Sequence, residues 1–429
     1  MLMFLFLGLL VLLLIGAPIA IALFLLAFGV DQFFAFFPLL RALGQNLWSA
    51  ANSFLLIAIP LFVLMGEIIV RAGIAERAYR ALDHWLCWLP GGLLHANVMT
   101  STLFSATSGS SVATAATVST VALPQGEKLG YDPRLFCGTI AAGGTLGILI
   151  PPSINLIVYG FLTETSIPRL FMAGLIPGLM LALLFMLASL LLCLWRPTLG
   201  GPTRRSNWSE RLRHSIFLLP LLVLFGVIVG AIYLGWATPT EAAAIGVVAS
   251  LVLAACNRRL NVATLLSALD STVRTTSMIV FIILAASFLN FALASAGLAA
   301  QIDRLLAAYS PSPLLLLTMV LAVLVILGFF IETLSLMVIT LPIVAPLLFA
   351  AGFDPVWFGV MMILFVELAL ITPPVGLNLY IVQASRPGRP FTDVIAGSLP
   401  YIAIMLLMAL LLILFPDIAL WLPNAVQGT

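Results

Sequence analysis

Long apolar runs alternate with short polar stretches along the whole chain. Runs long enough to cross a bilayer as helices lie near residues 2–28, 48–70, 132–163, 169–195, 215–236, 239–256, 276–296, 355–385 and 395–416. The apolar stretch at residues 1–30 is longer than the core of a signal peptide, so we expect it to be retained as a first membrane segment. Lipid offers no hydrogen-bond partners, so the backbone N–H and C=O groups of a membrane segment must bond within the protein. Because no strand pattern is visible, the sequence predicts an all-α polytopic membrane protein.

Two further apolar stretches are interrupted in the middle by polar residues. Residues 91–124 contain SATSGSS (Ser105–Ser111), and residues 311–349 contain GFFIETLS (Gly328–Ser335). We expect each stretch to form a re-entrant helical hairpin that returns to its own side. If both return and the other runs cross, only Arg41, Arg169 and Arg304 of the 18 Lys and Arg residues fall on one side. The other side, which carries the remaining fifteen, including Arg205, is then cytoplasmic.

The chain also repeats itself. Tyr131-Asp132-Pro133 matches Phe353-Asp354-Pro355, and Pro151-Pro152 matches Pro373-Pro374, at one shared offset (373 − 151 = 222). After the proline pairs the second copy is one residue longer, so that Asn155 corresponds to Asn378. Five crossings separate the copies, and an odd number predicts that they face opposite ways. Inverted repeats with broken helices that meet at mid-membrane are typical of secondary transporters.

The proline pairs predict where a ligand binds. Proline removes a backbone donor and leaves a carbonyl without its helical partner, and such a carbonyl is costly in hydrocarbon unless protein, water or an ion meets it. A simple kink is the alternative, but it needs one proline and not two prolines with an asparagine in both copies. We therefore expect an ion or substrate site at the breaks.

Polar residues at the two interruptions are the other candidates. The hydroxyl cluster around Gly109 includes Ser108 and Ser111, and its alternative is small-residue packing between membrane helices. Glu332 is an acid at the second interruption, where a carboxylate costs roughly 2.5–3.5 kcal/mol on insertion scales. Its alternative is a charge that faces a polar cavity without binding anything. Glu367, another acid within an apolar run, has no assigned role from sequence, and Glu241 is expected to be structural beside the possible caps Thr238 and Thr240.

Composition excludes other classes of function. Charged residues make up only 8% of the chain and hydrophobic residues 63%. A chain with so few charged residues cannot cover a water-facing surface. The four cysteines have no metal-binding spacing. The chain lacks the HExxH, GxSxG and GxxxxGK[ST] motifs, so the sequence predicts neither an enzyme nor an ATP-driven pump. No cofactor and no nucleic-acid partner is expected.

The chain resembles the large membrane subunit of tripartite ATP-independent periplasmic (TRAP) transporters over essentially its whole length. The resemblance rests on SGSSVATAATV (Ser108–Val118), GGTLGILIPPS (Gly143–Ser153), ATPTEAAA (Ala237–Ala244), FFIET (Phe329–Thr333) and ITPPVGLNLY (Ile371–Tyr380). It implies an elevator-type ion transporter fold, in which a transport domain slides through a fixed scaffold. The scaffold would comprise residues 1–88 and 196–305, and the transport domain residues 89–195 and 306–429.

The resemblance also implies roles for individual residues. One sodium ion would be held by Ser108 and Ser111 with carbonyls near Gly328 and Thr372, and a second would lie near Gly376. Ser108, Ser153 and Glu332 match positions that the family uses near substrate, although many relatives carry Asp in place of Glu332. We place the paired Asn155 and Asn378 in the same substrate site.

The implied function is sodium-coupled import of a small organic anion, such as a dicarboxylate or a sialic acid, across the bacterial inner membrane. Two protein partners are implied: a small four-helix membrane subunit and a periplasmic binding protein that delivers the anion. Membrane lipid would surround the chain. The first alternative is a stand-alone sodium/divalent-anion symporter of related fold, and the second is a membrane scaffold or enzyme without transport.

Overall fold

The computed structural model describes residues 1–35, 39–204, 206–309 and 312–427, and these residues form helices and connecting turns without a strand. Arg205, the predicted hairpin start at residue 311 and the last two residues of the predicted transport domain lie outside the described ranges. The helices are α1 Leu2–Leu14, α2 Ile19–Phe34, α3 Leu40–Ala51, α4 Ala58–Arg71, α5 Ile74–Leu86, α6 Gly92–Ser108, α7 Ser111–Lys128, α8 Pro133–Leu149, α9 Ile154–Thr163, α10 Ile167–Trp195, α11 Trp208–Ser215, α12 Leu219–Tyr233, α13 Pro239–Cys256, α14 Val262–Ser295, α15 Leu298–Tyr309, α16 Pro313–Gly328, α17 Thr333–Ala350, α18 Pro355–Ile371, α19 Leu377–Ala384, α20 Phe391–Leu414 and α21 Asp417–Gln427. Short 3-10 helices lie at Phe54–Ile57 and Pro197–Leu199.

Length and composition agree with a polytopic membrane protein. Within the described ranges, six helices are long and apolar enough to cross a bilayer, or up to eight if each bent pair of helices counts as one span. The coarse prediction of an all-α membrane protein is therefore confirmed. Whether the interrupted stretches are re-entrant, and whether the copies face opposite ways, stays a prediction.

The prediction of one membrane segment over residues 2–28 is wrong. This run forms two helices, α1 and α2, which are separated by a turn at Gly16 and Pro18. Gly16 has a left-handed φ of 78°, a common way to end a helix. Pro18 precedes α2 and has no N–H with which to continue α1. A second difference is the run predicted at 276–296, which is the C-terminal part of the 34-residue helix α14.

Two sets of four helices have matching lengths and spacing. Helices α7 and α17 are both 18 residues long, and α8 and α18 are both 17 residues long. Each pair begins 222 residues apart (333 − 111 and 355 − 133). Asp132 and Asp354 cap α8 and α18 in the same way, because each accepts hydrogen bonds from two backbone N–H groups just ahead of it. The helices α6–α9 and α16–α19 are therefore structural copies, here called repeat 1 and repeat 2.

The repeats interlock through reciprocal contacts. The second hairpin helix of repeat 1, α7, packs on α19 of repeat 2, and the corresponding helix α17 packs on α9 of repeat 1. Reciprocal contacts of this kind are what a two-fold relation between copies produces. They bring both helix interruptions and both helix breaks toward one region.

The remaining helices pack around this pair. Helices α2, α3, α4 and α17 contact the long helix α14, and α13 packs on α4. Helix α20 crosses α8 where an ideal Cβ on Gly138 would lie 1.9 Å from the carbonyl oxygen of Gly397. Small residues at such crossings let two backbones approach closely. The division into scaffold and transport domain stays a prediction.

Candidate functional site

The tip of the first hairpin is a tight turn of small polar residues between α6 and α7. Ser108 ends α6, Gly109 has a left-handed φ of 57°, and Ser110 caps α7 by accepting a hydrogen bond from Ala113 N–H. The Ser108 and Thr114 hydroxyls lie 2.9 Å apart. An ideal Cβ on Gly109 would lie 3.2 Å from the carbonyl oxygen of Pro152. The predicted hydroxyl cluster is thus packed directly against the first helix break.

The first break is fully enclosed. Helix α8 ends at Leu149 and α9 begins at Ile154, with a bend of 41° between them. The Pro151–Pro152 bond between them is cis, as is the Pro373–Pro374 bond of repeat 2. Ser153 is buried and caps α9 by accepting a hydrogen bond from Leu156 N–H at 3.4 Å. Asn155 is also buried, so both predicted substrate residues of this break lie inside the protein.

The tip of the second hairpin is longer and less polar. It runs from Phe329 to Glu332 between α16 and α17. Glu332 is half-buried and caps α17, because its carboxylate accepts hydrogen bonds from Ser335 N–H and the Thr333 hydroxyl. It occupies the position of Ser110 in repeat 1. The structure therefore gives this predicted substrate residue a local role in starting a helix, and the residue remains partly exposed.

The second break joins α18 to α19 through Thr372, the proline pair and Gly376. The Thr372 hydroxyl donates to the Leu368 carbonyl at 2.6 Å, within its own helix. Gly376 has a φ of 62° and its position offers no side-chain cap to α19. Gly328, at the end of α16, faces α18, since an ideal Cβ on it would lie 2.5 Å from Ala369 Cβ. The second hairpin tip thus adjoins the second break.

A hydrogen-bonded chain connects the two repeats. Asn378 Nδ2 donates to Ser111 Oγ at 2.9 Å, and Ser111 Oγ donates to Glu367 Oε2 at 2.8 Å. Ser111 is the first residue of α7 in repeat 1, whereas Glu367 and Asn378 flank the break of repeat 2. All three residues are buried. Ser111 and Asn378, which were predicted for sodium and for substrate, are therefore in direct contact.

Glu367 is the member of this chain that sequence reasoning left without a role. The signal was present, because an acid in an apolar run with no basic residue nearby is costly and marks a functional position. The sequence could not show that its partner would be Ser111, 256 residues away. The structural role predicted for Glu241 agrees with a capping box, in which Thr238 and Glu241 bond each other's backbone N–H groups. Thr240 instead donates to the Phe54 carbonyl.

The breaks and tips supply backbone groups of both polarities. Helices α6, α8, α16 and α18 end there and offer carbonyl oxygens, while α7, α9, α17 and α19 begin there and offer N–H groups. Carbonyl ends suit a cation, and N–H ends suit an anion. Within the described ranges, no three His, Cys, Asp or Glu residues are grouped as metal ligands.

Comparison with known proteins identifies the family to which the chain belongs. The family profile described as "Tripartite ATP-independent periplasmic transporter, DctM component" matches residues 6–418. The C4-dicarboxylate TRAP transporter large permease DctM of Pseudomonas aeruginosa is 35% identical over 90% of both chains. The sialic acid TRAP transporter large permease SiaM of Vibrio cholerae is 33% identical over 98% of both chains. The 2,3-diketo-L-gulonate large permease YiaN of Escherichia coli is 33% identical over 94% of both.

Solved structures support the fold alone. The Alcanivorax borkumensis YdaH transporter aligns with a TM-score of 0.64 at 17% identity, over 97% of this chain and 99% of that chain. Neisseria gonorrhoeae MtrF aligns with a TM-score of 0.59 at 14% identity, over 90% of this chain and 84% of that chain. The relatives that show the family are transporter permeases of the inner membrane and not enzymes. The chain belongs to the DctM component family of tripartite ATP-independent periplasmic transporters, as a large permease subunit.

Proposed function

We propose that this permease imports a small organic anion and couples that import to sodium. The observation that carries the proposal is the convergence of two helix breaks and two hairpin tips through the contact between Ser111 and Asn378. Carbonyl ends at this place supply oxygen ligands for sodium, and N–H ends supply donors for a carboxylate. The relatives named for C4-dicarboxylates, sialic acid and diketogulonate transport carboxylated compounds.

The proposed sodium ligands are backbone carbonyls and hydroxyls at the tips and breaks. Ser108 and Ser111, with carbonyls near Gly328 and Thr372, form the first proposed site, and the turn at Gly376 forms the second. Ser108 supports this role because its hydroxyl is buried at the tip among other hydroxyl and carbonyl groups. Sodium bound there would add positive charge next to the proposed anion site.

The proposed substrate residues are Ser108, Ser153, Asn155, Glu332 and Asn378. Each of them lies at or next to a hairpin tip or a helix break. The Glu332 carboxylate would repel an anion. We therefore propose that it accepts hydrogen bonds from hydroxyl groups of the substrate or compensates the charge of bound sodium.

The proposed motion is an elevator movement of both repeats together. Their reciprocal contacts, α7 on α19 and α17 on α9, favour motion as one body. In this proposal a periplasmic binding protein delivers the anion, and a small four-helix membrane subunit completes the stationary part.

Reconstitution tests the proposal. The permease, its small membrane subunit and its binding protein are assembled in liposomes, and uptake of labelled succinate, sialic acid and diketogulonate is measured under an inward sodium gradient. We expect uptake of at least one compound that stops when either partner is omitted or sodium is replaced by potassium. Uptake by the permease alone would instead favour the stand-alone symporter, and uptake that does not depend on sodium would refute the proposed coupling.

A further inference from the structure

A polar cavity of about 530 Å³ lies toward the end of α7 that is remote from the first hairpin tip. It is enclosed between α7 of repeat 1 and the turn that joins α19 of repeat 2 to α20. None of the residues proposed above for sodium or substrate lines it. The distribution of arginines along the chain predicts that this end of the molecule is cytoplasmic. The cavity is therefore separate from the proposed transport site, and it contacts both repeats.

Arg386 is the buried cation of this cavity, with 5% of its surface exposed. Its Nη1 is buried and has no hydrogen-bond partner among the described residues. Its Nη2 lies 3.8 Å from Asp393 Oδ2, which is longer than a hydrogen bond. A buried charge is costly unless it is paired and hydrogen-bonded. The Arg386 guanidinium therefore needs an acceptor that its protein neighbours do not supply.

The nearby carboxylates are shared with other arginines. Asp393 Oδ1 lies 3.5 Å from Arg134 Nε, and Glu127 Oε1 lies 3.5 Å from Arg389 Nη2. Three arginines thus share two carboxylates in the ion pairs that the structure describes around this cavity. These ion pairs leave positive charge over, which favours an anion in the cavity.

Ser119 offers a second donor to the same cavity. It is fully buried, and its hydroxyl has no partner among the described residues. The neighbouring Thr120 hydroxyl instead donates to Thr117 O, the usual local way in which a helix satisfies a hydroxyl group. A guanidinium presents its N–H groups in a planar fork that matches two oxygens of a carboxylate or phosphate. With the Ser119 hydroxyl, Arg386 therefore forms a donor set that suits an oxyanion.

The turn that carries Arg386 is fixed by its own bonds. Gln383 Nε2 donates to Arg389 O at 2.7 Å, and Arg386 N–H donates to Gln383 O at 2.9 Å. Pro387 restricts the backbone directly after Arg386. A backbone that is already ordered lowers the entropic cost of binding a ligand.

The corresponding place in the other half of the fold lacks both donors. At the spacing of 222 residues, the counterpart of Ser119 is Leu341 (119 + 222 = 341). After the proline pairs the spacing is 223, so the counterpart of Arg386 is Thr163 (386 − 223 = 163), whose hydroxyl donates to Tyr159 O. The repeated backbone therefore does not require these donors, and the donor set is specific to one end of the molecule.

We propose that this cavity is a second anion site, which binds a small soluble oxyanion with a carboxylate or phosphate group. Arg386 Nη1 and the Ser119 hydroxyl donate to the oxyanion. A bound anion strengthens the contact between the end of α7 and the turn after α19, because both sides donate to it. The site does not rest on the proposed sodium coupling or on the proposed transport substrate.

The surroundings of the cavity favour a soluble anion over a lipid headgroup. Exposed residues at its lining include Thr120, Glu127 and Ser385. Thr120 also lines a neighbouring cavity whose far side carries Asp83 and His84. A phospholipid in this place would need an apolar surface for its acyl chains, whereas these side chains are polar or charged.

Titration calorimetry with inorganic phosphate tests the proposal. The purified full-length permease is placed in nanodiscs of phosphatidylcholine, and potassium phosphate is titrated against potassium chloride at equal ionic strength without sodium. We expect one phosphate to bind per wild-type permease. Arg386→Gln should lower the affinity about 10- to 100-fold, and Ser119→Ala about 2- to 10-fold, as for loss of a charged and a neutral hydrogen bond.

Two variants guard this measurement. Arg274→Gln removes an exposed arginine that pairs with Asp270 on α14, so it should bind phosphate as the wild type does. Ser119→Ala removes a single oxygen atom and keeps the test valid even if Arg386→Gln fails to fold. Phosphate binding of unchanged affinity in Ser119→Ala or in a folded Arg386→Gln would refute the site, as would a wild type that binds no phosphate.

Hydrogen exchange locates the bound anion. Phosphate should slow amide exchange in residues 119–128 and 383–393 of the wild type and leave residues 105–111 at the first hairpin tip unchanged. Protection at the tip instead would assign the phosphate to the proposed transport site and contradict the second site. Protection of residues 383–393 that appears only when the nanodiscs contain phosphatidylglycerol, and not with phosphate, would identify a lipid headgroup and overturn the soluble ligand.

Discussion

The two repeats have the same backbone plan but different surroundings at their breaks. In repeat 1 the proline pair and Ser153 are buried, and the small tip at Gly109 is wedged against Pro152. In repeat 2 Pro374 is exposed, and Phe330 at the tip is 73% exposed. In both copies a helix begins at an Asp-Pro sequence and ends before a Pro-Pro sequence, so these local features define the shared backbone. The side chains at the hairpin tips determine how tightly each tip packs against its helix break.

The two tips therefore differ in how freely they can change their packing. The first tip is held by backbone contacts and buried hydroxyls, so it has little freedom to change its packing. The second tip borders α1 across an apolar cavity of about 420 Å³ lined by Phe6, Leu9, Leu10, Ile326, Leu327, Phe330 and Ile331. We expect repeat 1 to be intolerant of substitution at its tip and repeat 2 to be tolerant.

The largest expected effect is at Gly147, where α8 meets the first tip. An ideal Cβ there would lie 2.8 Å from Ser110 O and 3.0 Å from Ser111 Cα. Gly147→Leu should destabilise the permease by about 3 kcal/mol or more, because backbone cannot move aside as a flexible side chain can. Thermal melting in detergent measures this. Gly226→Leu on α12, where nothing lies within 4 Å, is the control, and equal melting of both variants would refute the close contact.

A smaller effect is expected at Gly109 in the first tip. Gly109→Ala adds a Cβ to a residue with a left-handed φ of 57° and places it 3.2 Å from Pro152 O, so we expect a loss of about 1–3 kcal/mol. Gly130→Ala has a φ of 69° but nothing within 4 Å, and it isolates the backbone contribution. If Gly130→Ala costs as much as Gly109→Ala, the tip is not packed against the break.

The shared helix starts should respond equally in both repeats. Asp132→Ala and Asp354→Ala each remove a side-chain cap from a 17-residue helix, and we expect each to cost about 1 kcal/mol. Denaturation or thermal melting of the two single variants checks this. A large difference between them would mean that the repeats do not share the role of this cap.

The smallest effect is expected at the second tip. Phe330→Ala removes a side chain that is mostly exposed, so stability should change by no more than about 0.5 kcal/mol. A loss comparable to that of Gly109→Ala would show that the second tip is as tightly packed as the first, and the contrast between the repeats would fail.

Much of this architecture was readable in the sequence, because local signals specify it. Asp-Pro sequences begin α8 and α18, and the proline pairs follow the ends of these two helices. Proline has no N–H with which to continue the helical hydrogen bonds. The turn at Gly16 and Pro18 carried an equally local signal, but the strong hydropathy of residues 2–28 concealed it. The capping role of Glu332 was not predicted, because Glu is not among the residues preferred at a helix N-cap and the bond from Ser335 N–H is visible only in the structure.

The contacts between the repeats were not readable in this way. The bonds from Ser111 to Glu367 and from Asn378 to Ser111 join residues more than 250 positions apart. Apolar periodicity indicates which residues are buried but not which buried helix faces which. The position of Glu367 therefore emerged only from the structure, in which α7 packs on α19 and Ser111 at its start bonds Glu367 on α18.

The central claim is that the meeting point of the two repeats binds sodium, and a melting experiment tests it most directly. The purified permease in nanodiscs is heated in sodium chloride and in potassium chloride at equal ionic strength, as the wild type, Ser108→Ala and the control Ser119→Ala, a buried serine farther along α7. At sodium concentrations near 100 times the dissociation constant, we predict a stabilisation of about 2.7 kcal/mol in the wild type and Ser119→Ala, and a clear reduction in Ser108→Ala. Equal melting temperatures in the two salts for the wild type would contradict the account.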